Sequence, residues 1–175
     1  MIRVSQTVGR LAEIRMTSPI TSEDLATMQR DVAAILDRTQ GRIVVCADLS
    51  GATVLPSDLA DRIARFFRAS NARLERTAIL VGGGATFFLQ IERLLREGGS
   101  RPDTPPPRDP ASGRTPGSDP HARRPPEKTG DHLTRRISER RAFRTPAEAS
   151  TWLADSLTLE ERARLSLFLD SPRAP

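Results

Sequence analysis

Asp48 and Ser50 stand at the end of an apolar run, and Ser57 and Asp58 follow in a Pro-Ser-Asp segment that opens an amphipathic stretch. Carboxylates and hydroxyls so placed suit hydrogen bonding and partner recognition. Acyl or phosphoryl transfer would need a base beside the hydroxyl, and the part of the chain that reads as folded holds no histidine to serve as one. Asp48, Asp58 and Asp61 read as turn and cap residues rather than as an acid/base pair. His121 and His132 both fall in a proline-rich stretch with no cysteine nearby, so they have neither the spacing nor the rigidity of a metal site. The expectation is a protein that is not an enzyme and carries no metal.

Gly82-Gly83-Gly84-Ala85-Thr86 follows a strand-like run and opens a helix-like one, where backbone N–H groups are free to hold an anion. The Lys-Ser/Thr ending of a phosphate loop is missing, and so is the third glycine of a dinucleotide fingerprint. A tight turn with close backbone packing accounts for the glycines equally, and no cofactor is implied. Cys46, the single cysteine, lies inside Ile43-Val44-Val45-Cys46-Ala47 and reads as a buried structural thiol.

The elements that must position these residues can be read from periodicity. Between Val8 and Met16, Ala12, Ile14 and Met16 alternate with Glu13 and Arg15, which predicts a strand with one solvated side, and residues 2–6 can pair with it. Thr21 and Ser22 offer caps to a helix carrying Leu25, Met28, Val32, Ile35 and Leu36, ending near Gln40-Gly41. The β-branched run from Arg42 to Asp48 predicts a strand covered on both faces, followed by a polar turn, Asp48 to Gly51. A second helix begins near Pro56-Ser57-Asp58 with Leu59, Ile63, Phe66, Phe67 and Leu74 on one side. Thr77 to Val81 predicts another buried strand. The next helix presents Phe87, Phe88, Ile91, Leu94 and Leu95 and stops at Gly98-Gly99. Late in the chain, Arg141 to Arg144 suggests a short strand. Thr145-Pro146-Ala147-Glu148 and Thr158-Leu159-Glu160-Glu161 then carry capping-box signals ahead of Trp152, Leu153 and Leu157 and of Leu165, Phe168 and Leu169.

Gly98–Arg141 holds nine of the fourteen prolines, and its only large apolar residues are Leu133 and Ile137. So little apolar surface cannot offset the backbone entropy of ordering, about 1 to 2 kcal/mol per residue. The expected organisation is an α/β core over 1–97, a disordered Pro/Arg-rich insertion over 98–139, and a segment 140–171 that completes the same core. Gly98–Arg141 holds ten Arg or Lys against six Asp or Glu, so it supplies +4 of the formal net charge of +5. The remainder is near neutral and shows no basic stripe interleaved with aromatics, which argues against nucleic acid despite a pI near 10.9. Thr104-Pro105, Thr115-Pro116 and Arg135-Arg136-Ile137-Ser138 resemble kinase sites, and Pro105-Pro106-Pro107 a short polyproline segment, yet a plain tether accounts for them too. The amino-terminal residues lack a signal-peptide apolar stretch, and no run reaches the roughly 18 apolar residues of a membrane span. A cytoplasmic setting without disulfides is expected.

The order of elements, the strand ending Asp48-Leu49-Ser50-Gly51, and Phe143-Arg144-Thr145-Pro146-Ala147-Glu148-Ala149 with Trp152-Leu153 resemble the STAS and SpoIIAA-like family of anti-sigma-factor antagonists. The resemblance covers residues 1–97 and about 140–157 and implies a single domain. Its sheet would be mixed or parallel with four to five strands, packed with about four helices. It also implies a module that regulates by binding a protein partner, often under the control of a Ser/Thr kinase. In that family a second serine-rich motif four residues after the first carries the phosphate acceptor. Here those positions read Pro56-Ser57-Asp58-Leu59, with Asp58 at the acceptor position. Asp58 is then either a fixed stand-in for phosphoserine or a carboxylate that complements the helix dipole beside a Ser57 cap. Phosphorylation of Ser57 would itself add about two charges there. The implied partner surface is Asp48, Ser50, Gly51, Ser57 and Asp58; the Gly82, Gly83 and Gly84 loop stands apart from it, as an anion-binding loop or a tight turn on its own residues. A different reading, a carrier of a small apolar ligand of the CRAL-TRIO type, rests on the leucine- and phenylalanine-rich helices. An adaptor would instead fill its core with Phe66, Phe67, Phe87 and Phe88.

Overall fold

A computed structural model describes residues 1–99 and 138–171. Strands β1 (Ile2–Ser5), β2 (Leu11–Thr17), β3 (Ile43–Gly51), β4 (Leu74–Leu80) and β5 (Glu139–Phe143) form one sheet whose spatial order follows the chain. β1 is antiparallel to β2, and β2 through β5 run parallel. Parallel neighbours need a crossover, and helices α1 (Ser22–Arg38), α2 (Ser57–Ser70) and α3 (Ala85–Gly99) supply the three. Helices α4 (Pro146–Leu153) and α5 (Leu159–Asp170) follow the last strand. The expected α/β architecture with a mixed sheet is thus present, with five strands and five α-helices among the described residues.

The two faces of the sheet carry unequal layers, and the alternation within β3 explains how. Ile43, Val45, Ala47 and Leu49 join a core with α1, α2 and α3, whereas Val44 and Cys46 join Leu11, Ala78 and Phe143 under α4 and α5. All of these residues are buried, which is why the run reads as continuously apolar. Capping boxes fix where three helices start: Thr21 with Asp24, Thr145 with Glu148, and Thr158 with Glu161. In each, the threonine hydroxyl accepts from a free N–H of the first turn while the acid reaches back to the threonine N–H.

Several expectations change against the structure. β3 continues through Gly51, so Asp48 to Gly51 forms the end of a strand rather than a turn, because Arg15 and Thr17 of β2 extend the pairing to Asp48 and Gly51. Leu74 opens β4 instead of lying on α2, since a 3-10 turn over Asn71–Arg73 ends the helix first. Ser57 does not cap α2. The cap position is Pro56, which has no side-chain donor or acceptor, and Ser57 is the first helical residue. Of the four phenylalanines assigned to the core, Phe87 alone is buried, while Phe66, Phe67 and Phe88 are half-buried. The solvated side expected of β2 is covered: Glu13 is 1% exposed beneath α5. The insertion narrows at both described ends, because Gly98 and Gly99 complete α3 and Glu139 opens β5. His121, His132, the Thr-Pro pairs, the polyproline segment and Arg135 to Ile137 lie outside the described residues.

Candidate functional site

The carboxyl ends of β3 and β4 bring Ser50 and Gly82 together. A Cβ built on Gly82 would lie 2.5 Å from the Ser50 carbonyl oxygen and 2.7 Å from its Cα, so the glycine permits a backbone approach that no side chain would. Close packing, the competing explanation for the Gly82-Gly83-Gly84 run, therefore accounts for its first member. Gly83 sits at φ 80°, in the left-handed region, and turns the chain toward α3. Gly83 and Gly84 are exposed. We expect Gly82→Ala to cost about 1 to 3 kcal/mol, the range of an overpacked interior, read as a lower denaturant midpoint with unchanged slope. Wild-type stability in that variant would mean that the two strand ends lie further apart.

After Gly51 the chain crosses to α2 through Ala52 and Leu55, both buried, and Val54, which is 50% exposed. Gln90 on α3 fixes this connection. Its side-chain oxygen accepts from the Leu55 N–H at 2.8 Å and its Nε2 donates to the Leu55 carbonyl at 2.7 Å. Ser18 adds a second tie, its Oγ accepting from the Thr53 N–H at 2.9 Å. Ser57 and Asp58 then lie exposed in the first turn of α2, where no side chain caps the free N–H groups. Gln90 falls three residues after Phe87 and four before Leu94 on the apolar stripe of α3, and a lone amide in that stripe was the available sequence signal for it.

Asp48 belongs to a different environment from Ser57 and Asp58. It is 2% exposed, and its carboxylate accepts from the Ser50 N–H at 3.0 Å and from the Ser50 hydroxyl while facing the Arg15 guanidinium at 3.4 Å. Ser50 is half-buried and turned inward by that bond, and Gly51 is exposed. The carboxylate thus holds the end of β3 rather than the solvent-facing surface. Arg15 also stacks over Phe168, 4.7 Å from the ring centre, and donates to the Phe168 carbonyl at 2.6 Å, so α5 is tied to the same group.

Next along β2, Glu13 receives a two-pronged contact from Arg164 of α5, Nε to Oε1 and Nη2 to Oε2, both at 2.6 Å. The bond to Glu13 raises the pKa of Arg164. Ser5 donates to the same carboxylate at 3.0 Å. Sequence reasoning missed Glu13, Arg15 and Arg164 as a group.

Cys46 lies on that face too, and burial together with the Asp48 and Glu13 carboxylates pushes its thiol up. The thiolate is the reactive form. A thiol reagent should therefore leave the native protein unmodified and label one group per chain once denaturant opens the core. Labelling at native conditions on the timescale of a free thiol would contradict the burial.

The described residues hold no cluster of three or more His, Cys, Asp or Glu able to bind a metal. The strands lie side by side in chain order and α1, α2 and α3 share one face, so the order of the described strands has no reversal of the kind at which cofactors commonly bind in such sheets. A largely enclosed space in the larger core measures about 40 Å3 and is bounded by residues such as Met28, Val45, Ile63 and Phe67. Ligand pockets run to about 300 Å3 or more. No described helix is long and apolar enough to cross a membrane. The chain matches no protein-family model, and no curated protein or solved structure is significantly similar to it.

Proposed function

We propose that this chain is a non-enzymatic interaction module of the STAS and SpoIIAA-like kind, docking a protein partner on the β3–α2 connection and the first turn of α2. One observation carries the reading: Gln90 clamps both backbone groups of Leu55, so the segment presenting Val54, Ser57 and Asp58 is held in place before any partner arrives. Preorganisation lowers the ordering cost of association, which otherwise takes about 0.5 to 1.5 kcal/mol per immobilised side chain. Val54 offers apolar contact. Asp58 and the uncapped N–H groups of α2 offer charge and hydrogen bonds, and a Ser/Thr kinase acting on Ser57 would change both. Ser50 and Gly82 meet at the strand ends from which this connection leaves, while Asp48 holds the end of β3 on the α5 side. The small enclosed volume favours the adaptor over the apolar-ligand carrier.

The test compares affinity capture from lysate of the native host using wild type, Asp58→Arg and Gln90→Ala, with captured proteins identified by mass spectrometry. A partner held by wild type, lost by Asp58→Arg at unchanged melting temperature, and weakened by Gln90→Ala is the expected result. Equal capture by all three would remove this surface from consideration.

A further inference from the structure

β5 ends the sheet, and its outer side has no strand beside it among the described residues. The Phe143 carbonyl accepts from the Val81 N–H at 2.9 Å. Backbone groups alternate in direction along a strand, so Phe143 and Arg141 turn theirs toward β4 while Arg140 and Ala142 turn theirs away from it. An unpaired row of donors and acceptors of this kind is a template for another strand.

The edge lies at the floor of a trough. One part, about 740 Å3, is bounded by Phe88 of α3 from one face of the sheet and by Thr151 and Trp152 of α4 from the other. A second part, about 480 Å3, is bounded by Glu92 and Arg96 of α3. Both parts share Arg141 and Ala142, so the trough follows the strand. Its walls are held: Trp152 packs on Phe143 with ring centres 5.4 Å apart and carries Arg76 at 5.2 Å, and Arg144 lies 4.1 Å above Phe88.

Charge selects the occupant. Arg96, Arg140, Arg141 and Arg144 border the trough against the two acids Glu92 and Glu148. Glu148 is already engaged by the Thr145 N–H and hydroxyl. Among the described residues Arg140 donates to the carbonyls of Gly98 and Phe67, and no described carboxylate forms a salt bridge with Arg140, Arg141 or Arg144. A second copy of this edge would set arginine against arginine. Residues 100–137 of the same chain contain eight Arg or Lys against five Asp or Glu and carry the same sign.

We propose that the free edge of β5 accepts an extended acidic segment of another protein as a sixth strand, lying between α3 and α4. Main-chain bonds to Arg140 and Ala142 supply the pairing, and Arg141 and Arg144 select carboxylate side chains on the incoming segment. This surface is carried by α3, β5 and α4, and it does not depend on the docking proposed at the start of α2.

The experiment is fluorescence polarisation of the full chain with a labelled octapeptide of alternating threonine and glutamate, against one of alternating threonine and lysine. The acidic peptide should bind with an affinity that falls as salt rises, and the basic peptide should not. Arg141→Glu reverses an exposed charge, and Ala142→Pro removes an outward N–H without touching the bonds to β4. Each should weaken binding at least about tenfold at unchanged melting temperature, the scale of a central interface contact. If Ala142→Pro does not fold, Arg141→Glu decides. Absence of acidic-peptide binding, as would follow if residues 100–137 or a second copy occupy the edge, overturns the proposal. So does equal binding of both peptides, or undiminished binding by Arg141→Glu.

Discussion

Truncating Phe87 to alanine will lower the stability of this protein by about 3 to 5 kcal/mol, the range for a buried phenylalanine lost from a packed core. Phe87 is 3% exposed and sits with Ile91 and Leu94 in the larger core, so the change removes apolar burial and leaves a hole between α3 and the sheet. In thermal unfolding this corresponds to about 10 °C or more for a chain of this size. Phe66→Ala should be milder, because Phe66 is half-buried and the helix can let solvent in. A loss below about 1 kcal/mol at Phe87 would mean that α3 presents another side to the sheet.

The second large effect lies on the opposite face. Arg164→Leu strands the Glu13 carboxylate, whose side chain is fully buried, with Ser5 as its remaining side-chain partner among the bonds described. Breaking a buried pair from one side costs about 3 kcal/mol or more, while replacing both members with apolar residues is near neutral. Arg164→Leu should therefore destabilise strongly, and Glu13→Leu combined with Arg164→Leu should recover most of the loss. The double-mutant cycle measures that coupling directly. Additive losses would show that the two side chains act independently.

Signals confined to a few adjacent residues were legible. Thr145-Pro146-Ala147-Glu148 and Thr158-Leu159-Glu160-Glu161 announce their helices because both halves of a capping box are neighbours in the chain. The β-branched run at β3 likewise reveals a strand buried on both sides. Glu13 and Arg15 show where such reading stops. Alternation of charge with apolar residues usually marks a solvated face, and nothing near Glu13 tells that Arg164, far along the chain, folds over it. Leu74 continues the apolar spacing of α2, so periodicity could not separate helix from strand there. At the candidate site, Ser57 and Asp58 were recognisable at a helix start, but Asp48 was grouped with them although its carboxylate serves the strand end. That distinction depends on Arg15 of the neighbouring strand. Gln90 is equally a tertiary fact, since its value lies in reaching Leu55 across the helix layer.

The thinner helical layer, α4 and α5, is made from the last of the described residues, yet it covers Leu11, Val44 and Cys46 near the beginning of the sheet. A ribosome releases the chain from its amino end. Until residues 146–170 are made, no other described element covers that side of the sheet, and the Cys46 thiol lacks the burial that α4 and α5 give it. A chain that stops before α4 would therefore expose apolar surface that the finished protein buries, and exposed surface of that kind invites aggregation.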